Sequence, residues 1–303
     1  MRRMRILINT LFKFGVRNFL LKISNHFRIW RLETNYENQT DGTSITDSVQ
    51  HADFSALCER AANDPGTFLR FRACESIIHV LDHVTIEEGR DYFKFLKAYH
   101  ESFLEKDVKD FVLETDKIGR PVRYWYRGFG YLSGTFMRYL KVTADLERLF
   151  GDISDLKICE IGIGFGGQTA ITSRILGATQ FSLCDLPAVT SLASRYLQVA
   201  APGAQVFCVD GRNPVRVDSD LVISNYAFSE LNRSTQDMYL NNVCLIAPRG
   251  YITWNHSAWK YLDGYSLAEL TRLIPGSQII PEIPLTNPHN SIIVWGHREI
   301  KFG

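Results

Sequence analysis

Four glycines fall within six residues in the stretch Lys157-Ile158-Cys159-Glu160-Ile161-Gly162-Ile163-Gly164-Phe165-Gly166-Gly167. The run ahead of them is apolar apart from one acid, and a helical pattern follows from about Gln168 to Leu176. The pattern predicts a buried strand, a tight turn and a helix N-terminus. Glycine lets the backbone turn sharply and lets a ligand come close to the main chain. Gly162, Gly164 and Gly167 satisfy the dinucleotide spacing G-x-G-x-x-G, which discriminates weakly on its own. Glu160, two residues before the first glycine, says more. An acid there would repel a pyrophosphate and would suit a ligand with an ammonium and a sulfonium. S-adenosylmethionine is therefore the expected ligand, through Glu160, Gly162, Gly164 and Gly166, with a nicotinamide dinucleotide as the alternative.

Ligands of parallel α/β sheets sit over the carboxyl ends of the strands, so the residues at those ends are the short list. Asp185 closes Cys184-Asp185-Leu186-Pro187 about 20 residues after the turn, where an acid accepts hydrogen bonds from ribose hydroxyls. Its competing role is to cap the helix that Pro187 opens. Asp210 closes Cys208-Val209-Asp210-Gly211 and is either a ligand contact or the first half of an Asp-Gly turn. Ser224-Asn225-Tyr226-Ala227-Phe228-Ser229-Glu230-Leu231 follows the next apolar run. There Asn225 and Tyr226 are placed to touch donor or acceptor, and Glu230 to orient or deprotonate a hydroxyl, unless it only caps a helix. Trp254-Asn255-His256 ends the last run of this kind, and a histidine with its usual pKa of about 6.5 suits a general base.

Other clusters are weaker. His79 and His83 flank Asp82 at i, i+4 spacing but have no third ligand in view, so they read as helix surface or packing and no metal is expected. Arg120, Arg123 and Arg127 are interleaved with Tyr124, Trp125, Tyr126, Phe129 and Tyr131. Such a stretch can stack on nucleic acid, line a sugar cleft or be ordinary core. The formal net charge of +1 argues against a nucleic-acid partner.

The elements that must position these residues show a strand–helix rhythm. Strand-like runs cover 157–161, 180–185, 205–210, 220–225 and 250–255, with helical patterns over 168–176, 187–199 and 234–246. The link between the third and fourth runs is too short for a helix. That alternation predicts a parallel, doubly covered sheet. Two further runs, 278–284 and 291–297, are joined by only six residues and should pair antiparallel. Upstream, 53–62, 66–84, 85–104 and the amphipathic stretch 133–150 read as helices, and 35–50 as a polar linker.

Residues 1–32 carry eight Lys or Arg and no acid, with Ile8, Phe12, Val16, Phe19, Ile23, Phe27 and Trp30 at helical spacing. The charges interrupt any membrane span of ~18 apolar residues and any signal-peptide core. A basic amphipathic helix lies on an anionic membrane surface or docks on its own domain or a partner subunit. The six cysteines, Cys58, Cys74, Cys159, Cys184, Cys208 and Cys244, form no disulfide framework, which points to the cytoplasm, with peripheral contact at the inner membrane face. The expected organisation is a basic helix at 1–34, a helical acceptor-side region at 35–132 and a donor-binding domain at 133–303. Oligomeric state is left open.

Taken together, Glu160–Thr169, Cys184–Pro187, Ser224–Leu231, Gly250–Asn255 and the helix start Ser133–Leu140 resemble the sugar O-methyltransferases of bacterial surface-glycan gene clusters, over roughly residues 120–300. The chain departs from that pattern mildly, at Ile163 and Phe165. The resemblance implies a Rossmann-like class I methyltransferase fold, a parallel sheet closed by a C-terminal antiparallel hairpin, with S-adenosylmethionine as donor and a sugar or glycan hydroxyl as acceptor. It places Asp210 at the adenine amino group and Asn225 and Tyr226 beside the transferred methyl. The expected chemistry is in-line transfer of a methyl to a hydroxyl oxygen. His256 and Glu230 are the candidate bases, and Tyr226 or Asn225 orients the acceptor. Rival expectations are an NAD(P)-dependent oxidoreductase, against which stands the lack of any Tyr-x-x-x-Lys pair, a methyltransferase for RNA or another non-sugar acceptor, and a membrane-associated scaffold without catalysis.

Overall fold

The structure is a computed structural model that describes residues 52–256 and 262–298. The expected basic helix of residues 1–34 and the polar stretch after it lie outside the described residues.

Alternation along the apolar runs builds the sheet. In β3 (Lys157–Ile161), Ile158 faces one core, while Cys159 and Ile161 face the other. The same holds in β6 (Leu221–Asn225), where Leu221 and Ile223 face the first core and Val222 the second. Strands buried on both faces read as continuous apolar runs, which is why these segments are legible in sequence. With β4 (Gln180–Asp185), β5 (Gln205–Asp210), β7 (Gly250–Trp254), β8 (Gln278–Pro281) and β9 (Ser291–Trp295) they form a seven-stranded sheet of order β5-β4-β3-β6-β7-β9-β8. The first five strands in that order are parallel, while β9 is antiparallel to both β7 and β8. This is the expected Rossmann-like sheet, parallel and closed by a C-terminal antiparallel hairpin. The chain winds outward from β3 to β5, then returns to place β6 on the other side of β3. The strand order thus reverses between β3 and β6, the crevice where such sheets bind ligands.

The helices are α1 (Ala52–Asn63), α2 (Pro65–Phe68), α3 (Glu75–Val80), α4 (Ile86–Tyr99), α5 (Lys106–Thr115), α6 (Gly134–Phe150), α7 (Gly167–Leu176), α8 (Pro187–Ala200), α9 (Arg233–Tyr239, continued by a π turn to Cys244) and α10 (Leu267–Leu273). Residues of α1, α6, α7 and α8 share one core with the first face of the sheet, and α9 and α10 cover the second. Among the described residues no helix is long and apolar enough to cross a membrane.

Two local expectations need correction. The single helix expected over 66–84 is α2, a 3-10 turn at Phe71–Ala73 and α3. The chain breaks there because Arg72 must turn inward to Asp82 and Asp116. The helix α6 is not amphipathic in the sense of a wet outer face, since all its residues except Glu147 and Arg148 are buried. The upstream helices supply the cover that its sequence does not announce. The aromatic stretch after residue 120 is a hairpin, β1 (Tyr124–Tyr126) with β2 (Gly130–Leu132), in which Tyr126 and Phe129 are core while Trp125 and Tyr131 stack on each other outside. Helix α5 was also unforeseen.

Candidate functional site

The glycine turn is built by positive backbone angles. Gly162 has φ 74° and Gly164 φ 54°, a region that side chains enter at a cost of roughly 1–2 kcal/mol. A Cβ on Gly162 would collide with the Cβ of Ala227, and one on Gly164 would come within 3.0 Å of Leu81 Cδ2. The turn is thus pinched between the segment after β6 and the loop after α3. Phe165, fully buried, anchors it between Phe71, Tyr139 and Tyr196.

Below that anchor lies Arg72, fully buried, its guanidinium 4.6 Å from the Phe165 ring centroid and 4.9 Å from that of Phe136. Its Nε and Nη2 donate to the two oxygens of Asp82 at 2.7 and 3.0 Å, Nη1 to Asp116 at 3.2 Å and Nη2 to Ser133 at 3.0 Å. Ser133 caps α6. One side chain therefore ties the upstream helices, the start of α6 and the glycine turn together. The sequence reading missed it, since its partners lie far apart in the chain.

The structure brings most of the expected donor-site residues together. Glu160 is 3% exposed, its Oε2 accepting from the Thr169 hydroxyl at 2.5 Å. Burial pushes its carboxyl up to about 8, with the Asp185 charge adding to the rise and the Thr169 hydrogen bond opposing it. Asp185 Oδ2 accepts from the Gly164 N–H at 3.3 Å and Oδ1 from the Leu186 N–H at 2.8 Å, so the end of β4 is fastened to the turn. Asp210 pairs with Asp185 in register on the neighbouring strand. It is more exposed, and Arg212 grips it at 3.0 and 2.7 Å and holds its carboxyl below the usual range.

Asn225 ends β6 beside the turn. Its amide nitrogen donates to Gln168 Oε1 at 3.5 Å, while its Oδ1 is buried without a partner. Tyr226, next in the chain, has φ 68°, a strained conformation for a tyrosine. Its hydroxyl donates to Glu282 Oε1. Burial, with the Tyr92 and Glu282 charges, pushes that hydroxyl's pKa up.

Glu282 is a buried acid that the sequence reading placed inside a strand, but β8 stops at Pro281. The loop that follows begins a hydrogen-bonded chain. Thr286 Oγ1 donates to Glu282 Oε2 at 2.7 Å, Asn290 Nδ2 to Thr286 Oγ1 at 3.1 Å, and the His256 backbone N–H to Asn290 Oδ1 at 2.9 Å. Tyr226 and His256, at the ends of β6 and β7, are thereby coupled through one loop. The His256 ring lies tilted against His289, centroids 5.2 Å apart. Glu230 Oε1 accepts from Asn255 Nδ2 at 3.1 Å, which puts it at the end of β7 as well. Among the described residues no group of three or more His, Cys, Asp or Glu is arranged to hold a metal ion.

Arg138, in the first half of α6, was also missed. It is 9% exposed, and its guanidinium lies 5.7 and 5.6 Å from the ring centroids of Tyr139 and Tyr226. The segment that carries it had been noted, its charge had not.

No family model matches the chain, and no curated protein matches it. Solved structures that superpose on it include a proposed O-methyltransferase from Nostoc punctiforme, with TM-score 0.42 and 15% identity over 73% of this chain and 72% of that one. A Thermoplasma acidophilum protein gives TM-score 0.40 and 15% identity over 64% and 97%. An Aquifex aeolicus SAM-dependent methyltransferase gives 0.38 and 13% over 52% and 88%. At that level the matches are weak, and it is the strand order with its antiparallel β9 that defines the fold.

Proposed function

We propose that the chain is an S-adenosylmethionine-dependent O-methyltransferase acting on a sugar hydroxyl, in the building of a surface glycan. The observation that carries the donor half is the set of groups at the strand reversal. Glu160, Asp185 and Asp210 stand on three adjacent strands, with Asp185 bound to the turn at Gly164. A pyrophosphate meets repulsion from Asp185 and Asp210 there, whereas an ammonium and a sulfonium meet two carboxylates; Glu160, buried and hydrogen-bonded to Thr169, keeps its proton at neutral pH and contributes no charge. The buried, unpartnered Asn225 Oδ1 asks for a donor such as an ammonium. The residues present thus fit an S-adenosylmethionine.

When bound, that group supplies a methyl already activated by sulfonium. The chain's own residues do the rest. Asp185 accepts the ribose hydroxyls, and Asp210 faces the adenine amino group. Helix α7 and the glycine turn close the backbone around the ligand. Tyr226 holds the acceptor's side of the crevice, and its bond to Glu282 fixes the ring. His256 or Glu230 takes the proton from the acceptor hydroxyl, a contribution of ~10²–10⁴ in rate. Alignment of the two reactants supplies the larger share, up to ~7–11 kcal/mol.

The sugar half rests on the resemblance of residues 120–300. The basic residues within 1–32 suit an acceptor carried on an anionic membrane surface. The test is mass spectrometry of nucleotide-linked and lipid-linked saccharides incubated with the protein and S-adenosylmethionine. The expected product is heavier by one methylene, at a hydroxyl. Methylation confined to nucleic acid or to a non-sugar metabolite would overturn the acceptor assignment.

A further inference from the structure

Two buried arginines lie in the core beside the glycine turn, and the fold treats them differently. Arg72 has Asp82, Asp116 and Ser133 around it, with every nitrogen donating. Arg138 has no such set. Its Nε is buried without a hydrogen-bond partner, and among the described residues no carboxylate comes within 4.0 Å of its guanidinium. Glu88, the acid whose charge favours its protonated form, is occupied by the capping box with Thr85. An arginine side chain stays charged in proteins, and a buried charge is ordinarily paired. The rings of Tyr139 and Tyr226 offset only part of that cost.

The position of this unpaired cation is informative. Tyr139, one of its rings, also packs on Phe165 of the glycine turn. Tyr226, the other, follows Asn225, whose Oδ1 is likewise buried and unpartnered. The orientation of that amide follows from its neighbours. The Tyr139 carbonyl can only accept, so Gln168 presents Nε2 to it and Oε1 to Asn225. Asn225 must then turn its nitrogen toward Gln168, which leaves the oxygen buried without a partner. An unmet cationic donor thus packs on the Tyr226 ring, and the residue next to Tyr226 carries an unmet acceptor. A zwitterionic α-amino acid satisfies both.

We propose that Arg138 is the carboxylate receptor for the amino-acid end of the methyl donor, with Asn225 Oδ1 receiving its ammonium. This rests on the S-adenosylmethionine reading above and assigns a subsite within it. Arg138 is a binding residue rather than a scaffold residue, which makes its removal unlike that of Arg72.

The experiment is calorimetric titration of the full chain with S-adenosylhomocysteine and with 5′-methylthioadenosine, which keeps the adenosine thioether and lacks the amino acid. Wild type, Arg138→Gln and Arg138→Lys are compared, each with a thermal melt. Arg138→Gln is expected to weaken S-adenosylhomocysteine by roughly 10- to 100-fold and to leave 5′-methylthioadenosine unchanged. Arg138→Lys, which keeps the charge and loses the fork, falls between. Without ligand, Arg138→Gln melts at or above the wild-type temperature, since it removes an unpaired buried charge. Equal loss for both ligands, no loss for either, or a melt lowered as for a structural residue would each overturn the proposal. Failure of wild type to bind either ligand would instead remove the methyltransferase reading on which it stands.

Discussion

Replacing Glu160 by glutamine should make the protein's stability less dependent on pH. The carboxyl has an ordinary pKa of 4.5 and is held at about 8 in the folded chain, chiefly by burial. A folded-state pKa above the unfolded one means that the native state binds the proton more tightly. The stabilisation is complete below pH 4.5 and is lost as pH rises toward and through about 8. The gap between the two values corresponds to about 5 kcal/mol at full ionisation, as an order of magnitude, at 1.36 kcal/mol per unit. That is a large part of a typical total of ~5–15 kcal/mol. Glutamine keeps the shape and an oxygen for Thr169 to bond, and it cannot ionise. Urea unfolding at pH ~5 and pH ~9 should give the two proteins similar stability at the low value and should favour Glu160→Gln by several kcal/mol at the high one. Parallel pH profiles for the two would refute the reasoning, because they would mean that Glu160 ionises in the fold as it does in water.

Three other outcomes follow from the geometry. Arg72→Met leaves Asp82 buried without its cation and Asp116 with Arg123 alone, and the expected loss is about 3–5 kcal/mol by denaturant unfolding. A loss below 1 kcal/mol would mean that the network is not what ties the upstream helices to the turn. Gly164→Val forces a branched side chain into φ 54° and against Leu81, and calorimetry should show S-adenosylhomocysteine binding abolished, whereas retained affinity would detach the turn from the ligand. His256→Ala should preserve that affinity and lower turnover by ~10²–10⁴, while full activity would leave Glu230 as the base.

Legibility in the sequence follows range of interaction. The strands β3 to β5 and helices α7 and α8 agree with their expected bounds almost residue for residue, because the buried runs of β3 and β4, the apolar run of the edge strand β5 and the glycine turn write their geometry into consecutive residues. The position of Asp185 is legible for the same reason, as the last residue of a strand at a fixed distance from the turn. The residues that were missed act through distant partners. Arg72 is defined by residues 10, 44 and 61 positions away. Glu282 is 56 positions from Tyr226, so nothing in its own neighbourhood distinguishes it from a surface acid. Arg138 sits on a helix whose alternation suggested a wet face, and only the packing of the upstream helices makes it a buried charge.

The most direct test of the central claim is isothermal titration of the protein with S-adenosylhomocysteine, with Asp185→Ala as control. Micromolar binding by wild type, lost in Asp185→Ala while the melt is kept, is the predicted result. It would place the donor at the strand reversal between β3 and β6. No binding by folded wild-type protein, with binding of a reduced nicotinamide dinucleotide in its place, would contradict the account.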